Sequence, residues 1–260
     1  MALPNFGFGI MEAELWRLIF VMVRIGAALL AAPLFGAGSV PVQVRIAMAG
    51  AISVFVLVHT PIALPQDLLS FPTLLSLLSE AVMGFAFGFI LQLTFAAPVL
   101  AAEQISGAMG MAIATAVDPN TGGQSGALGQ YFTVVITLVF LSLGGHLLWL
   151  RLLIESYRVF PPGAQWFGAD RAYLVAGFAG QMLITAVTIA LPVTLVLLLV
   201  QMATGVLSRS APSLNLFSLG LPAGVLAGIA ALISAMPLLT DQFIVLSLNG
   251  IAQTEAMLMP

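Results

Sequence analysis

The sequence predicts an all-α, membrane-type protein, and three observations predict it. First, the 260 residues are 61% hydrophobic and only 7% charged, where a soluble domain carries about 25% charged residues. That leaves too little polar surface to coat even one soluble domain. Second, apolar segments of the length that a helix needs to cross a bilayer recur along the chain. Third, no charge separates Arg171 from Arg209. A single helix over 172–208 would measure about 55 Å, against a hydrocarbon core of about 30 Å. It must therefore project beyond the bilayer, tilt, or bend, and Pro192 is the place to bend.

Taken in order, residues 1–14 are a short amphipathic or loose lead. Glu12 and Glu14 fall there and no basic residue precedes Arg17, so no secretory signal is expected. Residues 15–32 form the first apolar segment. Arg17 near its start can snorkel to an interface, while Arg24 sits at its middle. Residues 46–64 are the second, with His59 and Pro61 near its end. The third, 74–102, carries Glu80 and the pair Gly84 and Gly88, a spacing suited to close helix contact; Pro98 should kink its last third. Residues 131–150 form the fourth segment, with Gly144-Gly145-His146 inside it, and 151–171 is the most polar connection. After the uncharged stretch, 208–215 is a tight polar turn. The apolar run 216–237 opens with Gly220, Gly224 and Gly228, a flat strip along one helix face. A further helical segment follows to about Asn249, and 252–260 should fray.

Topology is harder to assign. Arg45, the 151–171 connection and Arg209 do not fall on one side under simple alternation, as an arginine-rich inner face requires. Either some segments do not cross, or the protein does not sit in lipid as a simple bundle.

The stretch 101–130 differs from its surroundings. It holds Glu103, Asp118 and six glycines. It begins as a helix of small residues and breaks at Asp118-Pro119, since the residue before proline disfavours the α region. Polar, bendable backbone at membrane depth persists only when buried in protein or lining water. One reading makes this stretch the working part; the other makes it an ordinary connection, because loops favour the same residues.

Four ionisable residues lie in apolar surroundings: Arg24, Glu80, Glu103 and Asp241. Each costs about 2.5–3.5 kcal/mol at a helix centre, so they must face protein, water or one another. They could form a proton path or pair structurally. The small number of acids and the lack of a tight acid–histidine chain favour pairing. His59 and His146 stand without a second ligand three or four residues away, so no metal is expected, and no motif implies a cofactor or an enzyme's active site. Cysteine is absent and the net charge is -3, which excludes disulfides and argues against nucleic-acid binding. All seven basic residues are Arg. The 12 Met and 17 Phe include Met109 and Met111 in the central stretch, where flexible thioethers suit surfaces that re-pack.

Four groups of residues now carry a resemblance. They are Ala32-Pro33-Leu34-Phe35 with Val40-Pro41 and Arg45; Glu103-Gln104-Ile105 with Gly107 and Gly110, running to Asp118-Pro119; Gly145-His146 with Ser156-Tyr157 and Pro161; and Leu191-Pro192 through Gly205, Arg209, Ala211-Pro212, Leu214-Asn215, Phe217, Gly220, Pro222 and Gly228. In this order and spacing the chain resembles, over nearly its whole length, the FliR family of flagellar type III export-gate proteins, homologous to the SctT subunit of virulence injectisomes. Two departures are Ser213, where the family commonly has Gln, and Ile113 with Ala116, where members often carry aromatics.

The resemblance implies a single domain over 1–260, all-helical and built of hairpin-like elements. Its N-terminal part, 1–130, would end in a plug segment, and 131–260 would be its C-terminal helical part. It implies a non-enzymatic role. One copy would complete a helical ring with FliP and FliQ, with FlhB and FlhA nearby, in an assembly of the bacterial inner membrane that stands largely above the membrane plane. Unfolded flagellar subunits would be the substrates. Carried over, the plug covers about 109–125, with Met109, Gly110, Met111, Ala112, Ile113, Ala114, Ala116, Asp118 and Pro119, and Arg209, Pro212 and Asn215 mark a motif turn. The rival readings are the injectisome subunit and a small-solute secondary transporter. Transporters usually show inverted repeats with paired broken helices, of which Pro98 and Pro192 are a faint echo.

Overall fold

A computed structural model of the chain describes residues 10–62, 70–111, 126–163, 168–210 and 220–259. These are helical, with no strand among them: α1 (Ile10–Ala31), α2 (Val42–His59), α3 (Phe71–Ala108), α4 (Ala127–Ser142), α5 (Gly145–Val159), α6 (Ala169–Ser210) and α7 (Leu221–Ala256). The all-α class expected from composition is what forms. α2, α3, α6 and α7 are long and apolar enough to cross a membrane, and a fifth span results if the bent pair α4–α5 counts as one.

Two boundaries differ from the sequence reading. The apolar run 131–150 is not one helix. Gly144 adopts φ +67 and divides the run into α4 and α5. Hydrophobicity continues unbroken across that point, so the break is written only in the glycine, which reaches the left-handed region at little cost. Arg151, Glu155 and Arg158 then belong to α5, and Asp170 and Arg171 to α6, rather than to a connection. At the C-terminus, the described residues 252–259 do not fray. α7 runs to Ala256, Thr254, Met257 and Leu258 are buried, and the Thr254 hydroxyl donates to the Gly250 carbonyl at 2.8 Å.

Three helices continue through internal prolines: Pro98 in α3, Pro192 in α6 and Pro237 in α7. Each proline removes one backbone bond from its helix, and the apolar residues on both sides carry the helix past it. α7 thus joins two segments that the sequence divides at Pro237.

The chain forms two compact units, each assembled from distant stretches: residues 1–93, 144–178 and 249–260 in the first, and 94–143 and 179–248 in the second. In the first, Val21, Ile25, Ala28 and Leu29 of α1 pack with Met83, Phe87, Ile90 and Trp149 as buried residues. The α1–α2 connection is held by Arg45, whose guanidinium donates to the carbonyls of Ala37 (2.6 Å) and Val40 (2.9 Å), and Phe35 stacks on Trp149. In the second, Phe95, Phe132, Phe140 and Phe243 are buried. Edge-on ring contacts join Phe95 to Phe140 and Phe132 to Phe243.

Candidate functional site

The first unit contains a buried charge cluster. Arg24, fully buried in α1, donates from Nε to Glu80 Oε2 of α3 at 2.6 Å. Its Nη1 donates to Ser156 Oγ at 3.0 Å and its Nη2 to the Phe160 carbonyl at 3.0 Å. The guanidinium lies over the Tyr157 ring, 4.1 Å from its centroid. Ser156 accepts from Arg24 while donating to the Leu153 carbonyl at 2.6 Å, which uses both capacities of a hydroxyl. Tyr157 donates to the Val21 carbonyl at 2.7 Å, and the Gly163 amide reaches Glu80 Oε1 at 3.4 Å. Burying such a pair is tolerable because each guanidinium nitrogen donates a hydrogen bond. Close backbone approach makes room for it. A Cβ added at Gly84 would collide with the Arg24 carbonyl, and one at Gly88 with the Ala28 carbonyl and Ala31.

The second unit presents the end of α3. The last helical carbonyls need partners, and each has one. Met109 N donates to the Ile105 carbonyl at 2.9 Å, Met111 N to Ser106 at 3.0 Å, and Gly110 N to Gly107 at 3.0 Å. Gln201 Nε2 of α6 donates to the Ala108 carbonyl at 2.6 Å. Gly110 stands at φ +82, the left-handed residue that closes a helix this way. Met109 is buried against α7. A Cβ built on Gly224 would lie 3.0 Å from the Met109 carbonyl oxygen, and one on Gly228 only 2.6 Å from Met109 Cγ.

These two sites use some of the sequence-derived candidates and not others. Arg24 and Glu80 come together, Gly84 and Gly88 meet α1, and Gly224 and Gly228 meet Met109. Gly220 lies half-buried just before α7, and Arg209 is exposed near the end of α6. Glu103 and Asp241 are exposed rather than buried. Their positions on α3 and α7 turn outward from their own unit, so neither has a charged partner comparable to that of Arg24. Met111 is half-buried. Ala112, Ile113, Ala114, Ala116, Asp118, Pro119, Pro212 and Asn215 lie outside the described residues. No group of three His, Asp or Glu residues that could hold a metal forms among the described residues.

Sequence reasoning assigned no role to Ser156, Tyr157 or the Phe160 carbonyl around Arg24, although a buried guanidinium with five donors demands more than one carboxylate. Gln201 was missed as well. Its signal is that of a single polar side chain with two amide donors in the uncharged stretch between Gln181 and Arg209.

Comparison with known proteins gives the following. Residues 15–249 match a family described as bacterial export proteins, family 1. The chain is similar to a flagellar biosynthetic protein FliR of Escherichia coli (strain K12), 31% identical over 219 residues, covering 84% of this chain and 83% of the relative. To FliR of Bacillus subtilis (strain 168) it is 33% identical over 227 residues, covering 84% and 85%. To FliR of Aquifex aeolicus (strain VF5) it is 31% identical over 230 residues, covering 88% of each.

Proposed function

The chain belongs to bacterial export protein family 1 and is a membrane component of the flagellar export apparatus, and we propose that within it the chain forms, with FliP and FliQ, the pore through which unfolded flagellar subunits leave the cell. In this reading it is a non-enzymatic subunit of the inner-membrane gate, next to FlhA and FlhB. The glycine-rich segment that follows α3, residues 109–125, is the seal of that pore.

The observation that carries the seal reading is the manner in which α3 ends. A helix of 38 residues terminates in a fully bonded cap, and both neighbouring helices of its unit touch that cap. Any helix end needs its carbonyls bonded, but here contacts from two other helices also fix where the following segment begins, as a seal requires. Long exposed apolar surfaces support the partner reading: Leu183, Ile184, Leu199, Met202, Val206 and Leu207 of α6 are all exposed, and patches of that size mark contact with lipid or with other subunits.

Affinity purification of the tagged chain from membranes tests the proposal. Two other small membrane proteins of the export apparatus should co-purify in fixed ratio. Recovery of the chain alone, with coupled uptake of a small solute after reconstitution, would replace the gate with a transporter.

A further inference from the structure

We infer that Gln201 of α6 and the Gly224–Gly228 notch of α7 form a clamp on the end of α3, so that these two helices fix the point at which the chain leaves α3 toward the segment read above as the seal. The functional consequence rests on that reading; the clamp itself rests on the geometry of the second unit alone.

Three features make the attachment specific. The carbonyls of Ile105, Ser106 and Gly107 are satisfied by the chain's own amides, so the Ala108 carbonyl is left over, and the amide of Gln201 takes it. Gln201 is the sole Gln, Asn or charged residue of α6 between Gln181 and Arg209. Next, the Met109 side chain fills the space over Gly228, where a Cβ would stand 2.6, 2.7 and 2.8 Å from its Cγ, Cε and Sδ. One helical turn earlier, the Met109 carbonyl lies against Gly224. Finally, Gly110 at φ +82 turns the backbone sharply out of the helix immediately beyond the two held residues. The amide, the notch and the turn act on three consecutive residues, Ala108, Met109 and Gly110. α6 and α7 therefore position this end of α3, and Gln201 is a positioning residue rather than part of the seal.

Hydrogen exchange read on peptides spanning 105–111, in the assembled complex, tests the clamp. The amides of Gly110 and Met111 report it, because both are bonded within the cap. Gln201→Glu keeps the shape but replaces the donor with an acceptor, and should speed their exchange by about tenfold, as loss of one hydrogen bond allows. Gln201→Lys restores a donor and should return exchange toward the wild-type rate. Gly228→Ala should expel the Met109 thioether and speed exchange as well. Because that conflict needs both side chains, Met109→Ala combined with Gly228→Ala should exchange more slowly than Gly228→Ala alone. Wild-type exchange in Gln201→Glu, or strictly additive effects of Met109→Ala and Gly228→Ala, would overturn the clamp. Ion leak measured on the same variants separates the two readings: faster exchange without leak keeps the clamp and removes the seal, whereas unchanged exchange removes the clamp whatever the leak.

Discussion

Arg24 joins a carboxylate, a hydroxyl, a backbone carbonyl and an aromatic ring, and its neighbours differ in what their loss should cost. Arg24→Leu leaves Glu80 buried without its cation, and removing one partner of a buried pair costs about 3–5 kcal/mol. Tyr157→Phe removes only the hydroxyl that donates to the Val21 carbonyl and keeps the ring under the guanidinium, so it should cost about 0.5–1.5 kcal/mol. Thermal unfolding of the purified protein in detergent should rank them in that order, with Arg24→Leu also lowering the amount of protein in membranes. Equal effects would mean that the Tyr157 hydroxyl bond to Val21 holds the cluster as strongly as the charge pair does. The Arg24–Glu80 pairing was half legible: both residues announce themselves as charges among apolar neighbours, yet nothing in their spacing says that they meet each other rather than Glu103 or Asp241. That information lies in the packing of α1 on α3 at Gly84 and Gly88, which depends on the fold.

Among the elements, the ends of helices decide most. α7 continues past Pro237 to Ala256, and Met257 and Leu258 then tuck into the first unit. Deleting 257–260 should therefore destabilise the protein by about 2–5 kcal/mol, the range for removing a large buried apolar side chain. A truncated chain with an unchanged melting temperature would show that this end contributes nothing. Gly84→Leu should be more damaging still, because the obstacle is the Arg24 backbone, which cannot rotate away; failure of the protein to accumulate is the expected outcome, and normal yield would contradict the α1–α3 contact. Apolar runs located α1, α2, α3 and α6 in the sequence, with ends up to about six residues off, but merged α4 with the start of α5 and divided α7 at Pro237. They could not show the break at Gly144, since Leu141, Leu143 and Leu147 keep the pattern going. Nor could they show continuity through three prolines, where local propensity predicts a stop and packing against neighbours prevails.

For the whole molecule, the central claim is that the chain contributes to a pore sealed by the segment beyond α3. Composition made the membrane class evident, and ordered motifs made the family evident. The seal was not legible from residue chemistry alone, because Gly, Pro, Asn and Asp serve an idle turn equally well. What separates the two is the effect of removing the segment on a pore that still assembles. The direct measurement is ion conductance across membranes containing the assembled complex in which residues 110–122 of this chain have been deleted. The complex should still form with its partners, and conductance to ions and small solutes should rise well above that of the intact complex. An assembled deletion variant as tight as wild type would contradict the account and assign the seal to another subunit.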